Sequence, residues 1–250
     1  RAQGERRTLQ LKVLITCRTQ YFPNLQAQNS HFTQSERGEF SADRYRAMVL
    51  LPWREKQVRR YMSHALPGMD LDRLLEMVRS IHNLQELTQR PYTLKLVTEF
   101  IPEIENDRAA GRTVYGVTLY RRMAEKWLTR DSGKHHIKPE HKLRLAAHLA
   151  AYLWRTGRNA LPAEDLNAWF HEWLETEADL RRRYNGLHPD QLEEDLRTAT
   201  FLARQDDGEA STFRFAHTSL LEFFLARYLL SAVERNDAGA WAIPVPSRET

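Results

Sequence analysis

The 250 residues carry 42% hydrophobic and 28% charged side chains, a net charge of +4 and one cysteine, Cys17. This is the composition of a globular chain able to bury a large core; it excludes a disordered, collagenous or disulfide-stapled protein. Its apolar runs are far shorter than a membrane span and its charged start leads into no signal-peptide pattern, so a cytoplasmic setting and no membrane partner are expected. The charge is uneven: residues 1–60 hold 12 Lys/Arg against 5 Asp/Glu, a net of +7, which leaves −3 for the other 190. A basic front could face phosphate, nucleic acid or an acidic neighbouring domain.

In chain order, Leu11 to Cys17 is a short apolar, β-branched run with the pattern of a buried strand in a parallel sheet. Tyr45 to Leu51, stopped by Pro52, is a second candidate strand, and the polar stretch between them is a loop with at most a short helix. Two strands make no stable sheet, so the rest of that sheet is missing from the chain. From Arg54 the period becomes helical. Val58, Tyr61 and Met62 mark one helix, Leu71, Leu74, Leu75 and Val78 a second, and Leu84 and Leu87 a short third. Pro91 opens a fourth through Leu94, Val97, Ile101 and Ile104, proline being well tolerated in a first turn.

A long helix capped by Thr113 follows, with Val117, Tyr120, Ala124, Trp127 and Leu128 inward. The helix opened by Pro139 is apolar almost all round from Leu143 to Trp154, which predicts a central position. Leu166, Trp169, Phe170, Trp173 and Leu174 form one face of the next, and another runs from Pro189 to Ala199. Thr200 to Arg204 and Thr212 to Phe215 flank Asp206-Asp207-Gly208-Glu209 as a β-hairpin, before a last helix from Leu220 to about Val233. Helices followed by such a hairpin predict a winged helix.

Few segments carry chemistry. Gly111 to Thr118 has the glycine spacing of a phosphate loop, but Val117 stands where the lysine belongs and no strand precedes it. His135, His136 and His141 lack cysteine partners and zinc-ligand spacing, so they are expected as solvated loop residues, with no metal site. The helix before the hairpin carries Asp190, Glu193, Glu194 and Asp195 against Arg197, which argues against DNA in spite of Arg181-Arg182-Arg183. Arg18 follows the first predicted strand, where ligands gather in open α/β sheets. His217 precedes a helix whose Ser219 and Glu222 have capping-box spacing, and such an N-terminus can receive an anion. Taken on spacing alone, an exposed arginine and a packed histidine explain these two positions as well.

Several stretches in order resemble the NACHT-type STAND NTPases. Leu14-Ile-Thr-Cys-Arg18 is similar to the family's sensor strand, Leu50-Leu-Pro-Trp53 with Val58 and Tyr61 to the opening of its helical domain, and Leu87 to Leu94 to the stretch whose proline lies against adenine. The most specific match is Phe213-Arg-Phe-Ala-His217-Thr-Ser-Leu-Leu-Glu222-Phe-Phe-Leu-Ala226, similar to the winged-helix signature. The resemblance implies a mainly α chain: a helical domain (52–112) and a winged-helix domain (113–250), preceded by the remnant of a P-loop α/β sheet (1–51). It implies ADP or ATP as ligand, with Arg18 sensing the γ-phosphate, Pro91 touching adenine and His217 latching ADP. Magnesium would enter only through an upstream P-loop core of the same parent chain, since the phosphate loop and acidic motif are absent. Such a module opens on nucleotide exchange, forms homo-oligomers and signals, among other places in bacterial immunity; the parent would be a slow ATPase and this chain alone is not expected to be one. The alternative is a free-standing winged-helix adaptor or DNA-binding module.

Overall fold

The computed structural model describes residues 14–33, 48, 50–80, 84–112, 116–130, 133–199, 201–207 and 210–247. The chain is mainly α, with one small antiparallel sheet. A 3-10 turn at Thr19–Tyr21 and helix α1 (Leu25–Thr33) come first. Then α2 (Glu55–Ala65), α3 (Leu71–Ser80), α4 (Leu84–Thr88) and α5 (Pro91–Ala109) pack together. Their expected inward residues, among them Met62, Leu74, Leu84, Leu94, Val97 and Ile101, are each at most 2% exposed. Trp53 leads into α2 with its ring 5.7 Å from that of Tyr61, and its N–H donates to Gln89 O at 2.6 Å.

Helix α6 (Gly116–Arg130) bridges to the second half. Its expected cap, Thr113, lies outside the described residues, and Val117 is half-exposed rather than inward. Helix α7 (Pro139–Thr156) begins on Pro139 and ends at Gly157, whose φ of +66° lets its N–H reach Trp154 O and that of Arg158 reach Leu153 O. It is central, as its apolar circumference predicts, and packs along α11 (Thr218–Glu234). Between them come β1 (Leu161–Pro162), α8 (Ala163–Thr176), α9 (Ala178–Tyr184), α10 (Pro189–Ala199) and the hairpin β2 (Leu202–Asp207) and β3 (Ala210–Phe215). The sheet order is β1-β3-β2, with Leu161 opposite Phe213 and Leu202 opposite Phe215. Helices, a β-hairpin and a short third strand on the hairpin's edge make up this half.

The front differs from expectation. Among their described residues, the predicted strands Leu11 to Cys17 and Tyr45 to Leu51 form no strand; Leu14, Ile15, Leu50 and Leu51 are 65–97% exposed. A β-branched run becomes a strand only against a partner, and no described segment supplies one. The described front docks instead on α10 and the hairpin. Phe22 is buried, and the Arg204 guanidinium, itself buried, donates to Phe22 O at 3.1 Å, Asn24 O at 3.2 Å and Gln28 Oε1 at 2.7 Å.

Candidate functional site

The candidate residues gather around the open end of the hairpin. There Ala216 N–H donates to Phe201 O at 2.8 Å, and the chain passes through His217 into α11. His217 has extended backbone and is 7% exposed. Its Nδ1 accepts from Ser219 N at 3.1 Å, so the imidazole is the N-cap of α11. The expected capping box on Ser219 is thereby corrected: Ser219 is already helical, its Oγ is buried without a hydrogen bond, and Glu222 Oε1 accepts from Ser247 Oγ at 3.1 Å. With Nδ1 accepting, the proton of a neutral imidazole belongs on Nε2.

Arg18 does not cap a strand. It precedes the 3-10 turn in extended conformation and is half-buried, and its Nη1 donates to Thr198 O at 2.6 Å, in the last turn of α10. Thr198 Oγ1 donates to Glu194 O and lies 3.4 Å from His135 Nε2, while Lys142 Nζ lies 3.2 Å from His135 Nδ1. Arg18 and Lys142 thus converge on the negative end of the α10 dipole, which rationalises a lysine only 1% exposed. His135 is therefore part of a packed polar cluster rather than a solvated loop. His141 likewise sits inside α7, 2.6 Å from Tyr184 Oη; burial is the leading cause that holds its pKa low, and the adjacent Glu140 opposes it. His136 is exposed, as expected. Among the described residues no three His, Cys, Asp or Glu side chains are grouped to hold a metal.

Pro91 is exposed at the first position of α5. Tyr92 beside it packs edge-on to Trp127 at 5.8 Å, and Trp127 packs on Phe201 at 5.1 Å, so an aromatic relay joins Pro91 to the hairpin end. Burial, and then Arg214 on β3, hold the Arg90 guanidinium below its ordinary range. Both arginines are exposed, and among the described residues no ion pair with a carboxylate is formed by either. Arg90, exposed next to Pro91, is a cation that suits an anion.

Arg18, Pro91 and His217, 199 residues apart in sequence at the extremes, thus have different partners: Thr198 for Arg18, Ser219 for His217, and for Pro91 a neighbour, Tyr92, packed on Trp127. Sequence reasoning missed Arg90, Lys142, Arg204 and Arg214. No family model matches the chain, and no curated protein matches it significantly.

Proposed function

We propose that the chain is the regulatory, nucleotide-sensing portion of a NACHT-type STAND switch, working with a P-loop core of the same parent polypeptide in the cytoplasm. The observation that carries this reading is the contact from Arg18 to Thr198 O, which joins the expected sensor segment to the winged helix. A guanidinium prefers an anion to a neutral carbonyl, because opposite full charges attract more strongly than a charge and a dipole. A γ-phosphate offered to Arg18 would compete for it and loosen the winged helix. Arg90 beside Pro91, and a helix N-terminus capped by an imidazole, fit the phosphates of ADP or ATP; exposed Pro91 fits the apolar face of adenine. Opened modules would then assemble with copies of themselves. No helix among the described residues is long and apolar enough to cross a membrane.

The test is ADP dissociation from the parent polypeptide carrying its P-loop core, in His217→Ala and His217→Asn. Asparagine keeps an N-cap acceptor but removes the imidazole N–H. If His217 latches ADP, both variants lose a charge-assisted bond worth about 1.5–3 kcal/mol and release ADP at least tenfold faster. If it is only a cap, Ala lowers the melting temperature, Asn restores it, and release is unchanged in both, which removes His217 from the switch. Without that core the chain is expected to show no sub-micromolar ATP affinity by calorimetry, having no lysine-bearing loop to hold the triphosphate.

A further inference from the structure

A cleft of about 400 Å3, lined by neither Pro91 nor His217, opens between the end of α7, β3 and the start of α11. Its floor is apolar: Leu153, Phe215 and Leu221 are buried there. The indole of Trp154 forms one wall, held in place by Nε1 donating to Pro244 O at 3.0 Å, so the segment around Pro244 closes the opposite side. The rim is polar and carries no carboxylate, with Arg158, Asn159, Arg214 and Thr218 contributing. Arg158 is already engaged with Asp165 at 3.1 Å. Arg214 has no acidic partner among the described residues. Thr218 opens a 17-residue helix, whose N-terminal end adds partial positive charge on the same rim.

We propose that this cleft binds a small amphiphilic anion, a single carboxylate or phosphate monoester head on an aliphatic or aromatic body. An apolar body covers the floor formed by Leu153, Phe215 and Leu221 and gains the free energy of removing that surface from water. The head compensates Arg214, which a neutral guest of the same shape leaves uncompensated. The volume matches that of pockets for small organic ligands and is too small for a folded partner. The cleft borders the first turn of α11 and the segment leading to Ser247, so a bound guest would stiffen both. The proposal stands apart from the nucleotide reading, sharing none of its expected contact residues, and either can fail alone.

Octanoate, octyl phosphate and octanol, which share one tail, test it by calorimetric titration of this chain and of variants checked by circular dichroism. At least one of the two anions is expected to bind one to one, about tenfold more tightly than octanol, and the stronger of them identifies the head. Arg214→Gln should erase that difference. Asn159→Trp should fill the cleft and abolish binding of all three. Arg227→Gln, on α11 with its guanidinium over Phe223, should change nothing. Absence of anion binding at millimolar concentration overturns the proposal. So does octanol binding as well as the anions, or an Arg214→Gln chain that binds the anions at full strength.

Discussion

His148 is the residue whose surroundings make the clearest demand. It lies on α7 with its ring 5.1 Å from Tyr228 and 5.7 Å from Trp173. Burial first, then Arg144, Arg235 and Arg155, depress its pKa to about 4. Glu177 Oε1 lies 3.8 Å from Nε2, but Glu177 also pairs with Arg144 through its other oxygen, so its charge is already compensated. The folded pKa is below the unfolded value of about 6.5, so the unfolded chain binds the extra proton. Stability tied to His148 is thus fully present above that value and is lost as pH falls toward 4, by at most roughly 3 kcal/mol. Chemical denaturation between pH 7 and 5, where few carboxylates titrate, should show wild type losing stability and His148→Gln losing much less. Equal slopes would mean that the imidazole is hydrated.

Among the elements, the front segment depends on one side chain. Arg204 is 1% exposed along its side chain and holds two carbonyls and Gln28 on the 22–28 stretch; its Nε lies 2.9 Å from Asp206 Oδ1, an ion pair too bent for a hydrogen bond. Arg204→Gln would strip buried carbonyls of their donor and leave Asp206 without its cation, at a cost of about 2–3 kcal/mol. Hydrogen exchange should quicken across α1 and leave the centre of α7 unchanged; loss of protection throughout the chain would show instead that the clasp belongs to the global core. Exchange should be fast from Leu14 to Cys17 in wild type, since these residues are exposed, and slow from Leu145 to Leu153.

Which elements the sequence revealed follows from the range of the forces involved. Helices α2 to α8 and α10 announce themselves because a 3.6-residue period is local information. Helix α9 was hidden by Arg181-Arg182-Arg183, which leaves only Leu180 and Tyr184 buried. Strand β1 is two residues long and exists only because Phe213 and Thr212 pair with it. The front strand failed for the converse reason, a local pattern without a partner. At the site, His217 was legible because a strand end and a helix start bracket it. The Arg18 to Thr198 and Arg204 to Phe22 bonds span about 180 positions, beyond any periodicity.

The molecule as a whole carries a positive net charge and helices followed by a β-hairpin, the order expected of a winged helix, a combination that invites a test for nucleic acid. A winged helix usually offers the helix before its hairpin to the major groove, here α10. The acids of that helix divide in two. Asp195 is buried and accepts from Ile137 N at 2.7 Å, and Glu193 accepts from Asn167 and pairs with His171, so these serve the fold. Asp190 and Glu194 remain exposed, and the cation that might offset them, Arg197, is buried. The surface a duplex would meet is therefore acidic and repels phosphate. The exposed cations of α9 are partly spent as well, Arg181 pairing with Glu175 and Arg182 donating to Ala178 O. Fluorescence anisotropy with a labelled duplex should thus show binding only at low salt, falling steeply between about 50 and 200 mM and indifferent to sequence. Replacing Arg181 to Arg183 together by Gln should remove what binding there is, whereas Asp190→Asn with Glu194→Gln should strengthen it. A sequence-dependent complex that persists at 200 mM salt would reverse this, and would move the winged helix from the switch reading to that of a DNA-binding module.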